Sequence, residues 1–294
     1  MPTGPADTSA PETGGAGPGE DAMGGSGPDM PSGPDMPSSS MGPAPSDGCG
    51  KAMPQTGSSN SPLMAGNHKY YIKLPMGYDA STPYPMMVMF NPTGNPISWA
   101  EQNAGYEKVA TDAIRVYPDM ANESNGWQPN ETSFFQNLYD DLMSNLCVDK
   151  NRVFAGGESS GGEFSAFLGC EYGDLLRGIA PGAPKKTSWD INMHKANCKG
   201  HPTVIVIYSP ADSVLQQPAG ADFTEMYKEV NGCMDDSVPV DGYTDELSNC
   251  EEFQGCMAGA TVYRCLHNDP NYSGTHHGWA GFAAKMTWET FSAL

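Results

Sequence analysis

Short apolar runs typical of β-strands alternate with stretches of helical spacing along most of the chain. The segments that we predict as strands are residues 68–74, 86–90, 115–117, 152–155, 176–180, 203–208 and 261–266. The segments that we predict as helices are residues 99–114, 132–146, 160–170, 219–230 and 282–294. Because strands that alternate with helices pair side by side in parallel, this order predicts an α/β fold in which helices cover both faces of a mostly parallel central sheet.

The first 48 residues differ in composition from the rest of the chain. No Val, Ile, Leu, Phe, Tyr or Trp occurs before residue 63, and the segment Ser-Gly-Pro-Asp-Met-Pro occurs twice in succession, at 26–31 and 32–37. A segment of this kind cannot bury enough apolar surface to offset the chain entropy that folding removes. We therefore predict a disordered Pro-, Gly-, Ser- and Met-rich tail or linker over residues 1–48, and one α/β domain over residues 49–294.

The charge balance is strongly acidic, with a formal net charge of −20. The tail contains seven acidic and no basic residues, so the domain retains 28 acidic and 15 basic residues and a net charge of −13. A surface with this charge repels phosphate groups, and we expect no nucleic acid partner. The chain also lacks an apolar run of about 18 residues, so we expect no membrane span.

The cysteine content indicates the compartment in which the protein works. Cysteines occur at positions 49, 147, 170, 198, 233, 250, 256 and 265. Their even number and the absence of a C-x-x-C pair favour disulfides over a zinc site or a redox motif. Because disulfides persist in oxidising compartments, we expect a secreted, extracellular protein whose signal peptide was removed before residue 1. The sequence alone leaves the pairing of the cysteines open.

The segment Gly157-Glu-Ser-Ser-Gly161 contains a G-x-S-x-G motif between a predicted strand and a predicted helix. In this context the motif forms a tight turn that presents the central hydroxyl above the sheet, so we predict Ser159 as a nucleophile. The N–H of Ser160, at the start of the helix, is then a candidate oxyanion donor. Ser160 is also a competing nucleophile, although it lacks the centred spacing. A Gly- and Ser-rich turn without any chemistry is the other alternative.

A nucleophilic serine needs an imidazole to accept its proton and a carboxylate to orient that imidazole. In this type of fold the chain order is serine, acid, histidine, and the acid follows a late strand. Residues 203–208 give the strongest strand signal, and Asp212 follows them directly, so we predict Asp212 as the acid. A turn residue bonded to its own backbone is the alternative interpretation of Asp212, and Asp222, Asp241 and Asp245 are downstream alternatives for the acid.

The base is expected between the last strand and the last helix, where His276 and His277 stand side by side. The other histidines lie in the first predicted strand, before the acid or at the end of the last strand, and they are His68, His194, His201 and His267. No H-x-H or H-E-x-x-H pattern accompanies the pair, so we expect neither a metal nor another cofactor. An exposed loop histidine is the alternative for each, and the choice between them stays open at this point.

Several motifs resemble those of a known family when their order and spacing are considered together. They are Cys49-Gly-Lys51, Leu146-Cys-Val-Asp149, Arg152-Val-Phe154, the Ser-Ser-Gly-Gly turn at 159–162, Asn231-Gly-Cys233, Gln254-Gly-Cys256 and the His-x-Trp-x-Gly segment at 277–281. The combination resembles secreted feruloyl esterases and polyhydroxybutyrate depolymerase-like esterases of carbohydrate esterase family 1, in the α/β-hydrolase superfamily. The resemblance implies an α/β-hydrolase fold over most of residues 49–294, stabilised by disulfides.

The resemblance also implies roles for residues of the predicted site. The base of the family lies in a Gly-Gly-His-x-Trp-Pro-Gly segment, which residues 277–281 match with Ala in place of Pro. This match favours His277 over His276. The acid of the family lies in a Gly-Thr-Ala-Asp segment, which the Ser-Pro-Ala-Asp segment ending at Asp212 resembles.

Two positions depart from the family pattern. The oxyanion loop of the family reads His-Gly-x-Gly, whereas this chain has Asn-Pro-Thr-Gly at 91–94. The N–H of Thr93 takes the donor position, and Pro92 has no N–H to donate. Relatives often have an apolar residue before the nucleophile, whereas this chain has Glu158, which we expect to border the substrate and to repel acidic substrates.

The resemblance implies a secreted serine esterase that acts on feruloyl (hydroxycinnamoyl) esters of plant cell-wall polysaccharide, and we expect it to be a monomer. A polyester depolymerase, for polyhydroxybutyrate or a synthetic aromatic polyester, and an acetyl xylan esterase share the same triad and remain alternatives. Trp127 and Trp279 are candidate aromatic residues of the substrate rim, with ordinary packing as the alternative. A non-catalytic carbohydrate-binding protein on a hydrolase scaffold is the alternative from another class.

Overall fold

The computed structural model describes residues 42–294 except 186–190, 192–194, 197, 216–218 and 258. Most of the predicted disordered tail, up to residue 41, and His194 lie outside the described residues. Residues 44–48 already contact the domain. The Ala44 N–H donates to Asp149 Oδ1 at 2.9 Å, and the Ser46 N–H donates to the Val148 carbonyl at 2.9 Å. Contacts with the domain therefore begin several residues before the predicted boundary at residue 49.

The strands of the described residues form one sheet in the order β1-β2-β4-β3-β5-β6-β7-β10-β9-β8. Their bounds are β1 Leu63–Ala65, β2 His68–Lys73, β3 Tyr84–Phe90, β4 Ile114–Pro118, β5 Val148–Glu158, β6 Gly178–Gly182, β7 Thr203–Tyr208, β8 Ser237–Thr244, β9 Ser248–Phe253 and β10 Val262–His267. The six central strands, from β4 to β10, pair in parallel, and two antiparallel strands flank them on each side. The predicted mostly parallel sheet is confirmed.

Helices follow most of the parallel strands along the chain. Their bounds are α1 Trp99–Asn103, α2 Tyr106–Val109, α3 Thr132–Asn145, α4 Ser160–Glu171, α5 Ala219–Val230 and α6 Ala283–Ser292. One helix prediction needs correction, because residues 99–114 are not continuous. Gly105 adopts a positive φ of 84°, which ends α1 and starts α2, and the chain enters β4 at Ile114.

The sheet separates two apolar cores. Successive residues of β3 point to opposite faces, so Val88 and Phe90 belong to one core, whereas Met87 and Met89 belong to the other. Helices α3, α4 and α5 pack against the first face, and α1, α2 and α6 pack against the second. Helices therefore cover both faces, as predicted, and β3, β4, β6 and β7 are buried almost throughout.

All eight cysteines form disulfides, as the cysteine content predicts. The pairs are Cys49–Cys147, Cys170–Cys198, Cys233–Cys256 and Cys250–Cys265. The first pair joins the N-terminal segment to the residue before β5, and the last joins directly opposed residues of β9 and β10. In the described part of the chain, no helix has both the length and the apolar character that a membrane crossing requires.

The carboxyl ends of the parallel strands place the predicted site at one edge of the sheet. Ser159 follows β5, Asp212 comes four residues after β7, and His277 comes ten residues after β10. The strands β5, β6, β7 and β10 are successive neighbours and run in the same direction. The segments that follow them therefore leave the sheet at the same edge.

Candidate active site

Ser159 lies in a strained turn between β5 and α4. Its backbone has φ 56° and ψ −115°, a conformation that residues other than glycine rarely adopt. The turn is held from both sides, because the Ser159 N–H donates to the Gly182 carbonyl at 2.9 Å and the Glu163 N–H donates to the Ser159 carbonyl at 2.9 Å. Strain that the surrounding structure maintains in this way is common at functional sites.

The glycines of the motif permit the backbone to approach closely around this turn. A Cβ atom on Gly157 would lie 2.5 Å from the backbone of Gly161, and one on Gly161 would lie 2.4 Å from the Phe90 carbonyl. A Cβ atom on Gly162 would lie 2.3 Å from the Gly182 carbonyl. The sequence G-x-S-x-G-G is therefore required by the close contact of α4 with β3, β5 and β6.

The structure pairs the predicted acid with the predicted base. The Nδ1 atom of His277 lies 2.6 Å from Oδ2 of Asp212. The other carboxylate oxygen, Oδ1, accepts hydrogen bonds from the N–H groups of Val214 at 2.9 Å and Leu215 at 3.2 Å. A carboxylate held by two backbone donors has a fixed orientation. Because a carboxylate can only accept, the pair places the proton on Nδ1 of a neutral imidazole and leaves Nε2 able to accept a proton.

The alternatives for the acid and the base occupy other positions. Asp222 lies in α5 and Asp241 in β8, and the Oδ1 atom of Asp245 accepts the N–H groups of the turn that follows β8. His276 has a positive φ of 55°, and its buried Nδ1 atom has no hydrogen-bond partner among the described residues. Asp212 is therefore paired with His277 and not with its neighbour.

The loop that contains His277 packs beside the Ser159 turn. A Cβ atom on Gly182 would lie 2.3 Å from the ring of Trp279, two residues after His277. The carbonyl of the same Gly182 accepts the Ser159 N–H. Ser159 is half-buried, and its hydroxyl makes no hydrogen bond with any residue that the structure describes, His277 included.

Thr93 and Ser160 lie in contact next to the turn. The Thr93 Oγ1 donates to the Ser160 Oγ at 2.9 Å. Neither the Thr93 N–H nor the Ser160 N–H donates to a group of the described chain. The Ser160 N–H belongs to the first residue of α4, where the partial positive charge of the helix end favours an anion. The two N–H groups are therefore available to an oxyanion, even though Pro92 has none.

Trp127 does not line a substrate rim, contrary to the prediction. Its side chain is only 3% exposed and stacks on Phe164 with 4.7 Å between ring centroids. Its Nε1–H donates to the Asn91 carbonyl at 2.9 Å. An indole buries its N–H when a partner is available, and here that partner belongs to the loop of Thr93. Trp127 therefore supports the candidate oxyanion loop from the core.

Trp279 and Glu158 are also buried, so Trp279 does not lie on an exposed rim. Trp279 is 3% exposed and its Nε1–H donates to the Ala104 carbonyl at 2.9 Å. Glu158 is 6% exposed, its carboxylate lies near the backbone N–H of Trp279, and its Oε2 atom has no hydrogen-bond partner among the described residues. Burial raises the pKa of Glu158 to about 7, the Trp279 N–H acts in the opposite direction, and the charge of Asp212 adds to the increase. Glu158 therefore lies beneath the site and not at its surface.

Sequence reasoning missed a carboxylate that shapes the loop of the base. Asp269 accepts the Asn271 N–H on Oδ1 at 2.9 Å and the Gly281 N–H on Oδ2 at 2.8 Å, so it joins the two ends of the loop that contains His277. The Asp-Pro-Asn sequence at 269–271 is a turn signal that predicts the first of these bonds but not the second. Among the described residues, no group of three or more His, Cys, Asp or Glu side chains is placed to bind a metal ion.

Comparisons with known proteins agree with this architecture. The chain is 30% identical over 274 residues to feruloyl esterase D of Neurospora crassa, covering 85% of this chain and 90% of that protein. It is 25% identical over 247 residues to feruloyl esterase B of Piromyces equi, covering 75% of this chain and 44% of that protein. No protein-family model matches the chain.

A solved structure has a similar fold. The acetyl xylan esterase from Aspergillus awamori superposes with a TM-score of 0.57 at 14% sequence identity, covering 76% of this chain and 94% of that one. The structural likeness supports the α/β-hydrolase fold, and the sequence likeness extends over most of both chains. The chain belongs to the feruloyl esterase family, a family of carboxylic ester hydrolases with the α/β-hydrolase fold.

Proposed function

We propose that the protein is a serine esterase in which Ser159 is the nucleophile, His277 the general base and Asp212 the residue that orients the base. The observation that carries the proposal is the 2.6 Å pair between His277 and Asp212 at the sheet edge where the strained Ser159 turn lies. The chain order of Ser159, Asp212 and His277 supports the proposal, because this order is typical of the α/β-hydrolase triad. The position of Ser159 on a strand-to-helix turn supports it as well.

The proposed reaction begins with attack on the carbonyl carbon of the ester. The imidazole Nε2 of His277 takes the proton of the Ser159 hydroxyl as the Oγ–carbon bond forms. The negative charge that develops on the carbonyl oxygen is stabilised by the free N–H groups of Thr93 and Ser160. The carbon–oxygen bond to the alcohol then breaks, and the alcohol leaves with the proton from His277.

The second half of the reaction releases the acid. A water molecule attacks the acyl group on Ser159 and gives a proton to His277. The same two N–H groups stabilise the second oxyanion, and collapse returns the proton to the Ser159 oxygen. Asp212 stabilises the imidazolium formed in both halves, because its carboxylate accepts the hydrogen bond from Nδ1 throughout.

We propose esters of hydroxycinnamic acids on plant cell-wall polysaccharide as the substrates. The curated relatives that cover most of this chain are named feruloyl esterases, which supports this acyl group over an acetyl group or a polyester. We also propose an extracellular location, because the four disulfides persist in oxidising compartments.

A substrate panel tests this proposal. The purified chain is assayed on methyl ferulate, acetylated xylan, polyhydroxybutyrate and an aromatic polyester, and each assay includes Ser159→Ala. The proposal predicts the highest kcat/KM on methyl ferulate and no turnover by the variant. A preference for acetylated xylan or for either polyester would overturn the substrate assignment. Failure to hydrolyse any ester, with retained binding to polysaccharide, would favour the non-catalytic alternative.

A further inference from the structure

A cavity of about 440 Å³ lies between the turn that joins β1 to β2, the loop at 121–130 and the start of α3. Its polar lining consists largely of carboxamide side chains, which are Asn67, Asn122, Asn125, Gln128, Asn130 and Asn137. Lysine, arginine and aspartate are absent from its described lining, and Glu131 is the single acidic residue there. This composition differs from that of the chain as a whole, whose net charge is −20.

Most of these amides are free to bind a ligand. Asn67, Asn125, Asn130 and Asn137 are exposed, and their side chains make no hydrogen bond with any described residue. Each amide offers two donors and an acceptor, so a cluster of amides can both donate hydrogen bonds to hydroxyl groups and accept them from hydroxyl groups. The cavity therefore fits a neutral molecule rich in hydroxyl groups.

The carboxylate of Glu131, the one acidic residue of the described cavity lining, is bonded to other groups of the protein. Glu131 accepts the Gln128 N–H at 2.5 Å and the Ala121 N–H at 3.3 Å, and its Oε1 lies 3.1 Å from Nε2 of His68. Although burial acts to raise it, the hydrogen bonds from these three groups hold the pKa of Glu131 below its usual value. Glu131 thus fixes the loop that bears the amides. The ring of His68 in turn stacks on Phe134 at 4.0 Å, which gives the cavity a rigid wall.

The cavity adjoins the candidate active site. Gly126 lines the cavity, and a Cβ atom on Gly126 would lie 2.2 Å from Thr93 Oγ1 and 3.0 Å from Ser160 Cβ. One residue therefore separates the amide-lined cavity from the pair of residues proposed to bind the oxyanion. An alcohol that extends from the reacting ester towards Gly126 would meet the cavity.

We propose that this cavity binds neutral sugar units of the polysaccharide that bears the ester, through hydrogen bonds from the asparagines to sugar hydroxyls. The inference rests on the proposed function. It adds a binding site for the alcohol part of the ester, which the chemical steps alone do not determine. A volume of about 440 Å³ lies within the usual range of small-molecule sites, about 300–1,000 Å³. The absence of free positive charge in the described lining disfavours anionic polysaccharides.

The test compares two esters that share the feruloyl group. Wild type and the double variant Asn125→Ala/Asn137→Ala are assayed on methyl ferulate and on a neutral feruloylated arabinoxylan oligosaccharide. Each lost hydrogen bond weakens binding modestly, so the double variant should lower the ratio of kcat/KM on the oligosaccharide to that on methyl ferulate by about 10-fold or more. The matched control Asn60→Ala/Asn249→Ala removes two exposed asparagines outside the cavity and should leave this ratio unchanged. An equal ratio in wild type and both double variants would overturn the inference.

A binding measurement separates this inference from the proposed reaction. Unesterified arabinoxylan oligosaccharide is titrated calorimetrically into Ser159→Ala, with and without the two cavity substitutions. Binding that the cavity substitutions abolish supports the sugar site, even if wild type fails to hydrolyse methyl ferulate. Binding that the cavity substitutions leave intact, or tighter binding of an oligogalacturonate than of the neutral oligosaccharide, would contradict it. Hydrolysis of methyl ferulate with no oligosaccharide binding would overturn this inference and leave the proposed reaction standing.

Discussion

The imidazole Nδ1 of His277 lies 2.6 Å from the carboxylate Oδ2 of Asp212, although 65 residues separate them along the chain. A backbone bond at 2.9 Å from the Ser213 N–H to the Thr275 carbonyl joins the same two loops. The pair is therefore held by the loops that follow β7 and β10 and not by the side chains alone. This arrangement fixes the orientation of the imidazole.

Replacing Asp212 by Asn tests the orienting role. An amide that donates to Nδ1 would force the proton of the neutral imidazole onto Nε2, so His277 could not accept the Ser159 proton. We expect kcat on methyl ferulate to fall by about 10³- to 10⁴-fold with an unchanged circular dichroism spectrum. Asp241→Asn, which alters an exposed carboxylate on β8, serves as the control. A loss for Asp212→Asn no greater than that of the control would refute the role.

Gly126 tests the contact with the oxyanion loop. Gly126→Ala would place a methyl group 2.2 Å from Thr93 Oγ1, so Thr93 must move. We expect kcat to fall by at least about tenfold, since loss of one oxyanion donor commonly costs about 10²- to 10³-fold. Gly77→Ala is the matched control, because Gly77 has a φ of 73° against 71° for Gly126 and no heavy atom within 4 Å of its Cβ position. Equal kinetic losses in the two variants would show that backbone strain alone is responsible.

The buried carboxyl of Glu158 should make stability depend on pH. Its pKa is raised from 4.5 to about 7 in the folded protein, so the unfolded chain releases this proton at a lower pH than the folded one. The contribution of Glu158 to stability is therefore lost as pH rises from about 4.5 to about 7, by about 3 kcal/mol in total, and is constant above that range. Glu158→Gln removes this contribution.

Urea unfolding at several pH values measures the difference. The unfolding free energy of wild type minus that of Glu158→Gln should decrease between pH 5 and about pH 7. Taking the difference between the two unfolding free energies cancels the contributions of all titratable groups that the substitution leaves undisturbed. A difference that stays constant over this range would show that Glu158 ionises normally in the folded protein.

The disulfide that closes the longer loop should stabilise the domain more, because the entropy of loop closure grows with the logarithm of loop length. Cys49–Cys147 spans 98 residues and Cys170–Cys198 spans 28, and each pair has one buried and one half-buried cysteine. In the chain-entropy account, the double alanine variant of the first pair should lose about 1 kcal/mol more unfolding free energy than that of the second. Chemical denaturation of both variants measures this, and the reverse order would favour local packing over chain entropy.

The central fold is predictable because its strands are buried on both faces. Continuous apolar runs such as residues 203–208 have few interpretations other than a parallel strand, and the structure confirms β7 with those bounds. The sheet edge that receives Ser159, Asp212 and His277 follows from the strand order, since parallel neighbours end on the same side. Chain position therefore gave the location of these residues, although it could not give the distances between them.

Other features depend on contacts that single-sequence patterns do not contain. Sequence patterns do not predict β8 and β9, because both strands are polar and weakly periodic; β8 forms the edge of the sheet and β9 lies next to it. The burial of Trp127 and Trp279 is not predictable from local sequence, because a loop aromatic has the same local sequence whether its ring faces solvent or the core. The acceptors that hold their indole N–H groups inward are the carbonyls of Asn91 and Ala104, which lie far away along the chain.

Labelling of the nucleophile tests the central claim most directly. The protein is incubated with a fluorophosphonate probe, the label is located by peptide mass spectrometry, and hydrolysis of methyl ferulate is followed in parallel. The account predicts stoichiometric phosphonylation of Ser159 with a parallel loss of hydrolysis, and neither label nor turnover in Ser159→Ala. Attachment of the probe to another residue with full inactivation, or hydrolysis by Ser159→Ala at the wild-type rate, would contradict it.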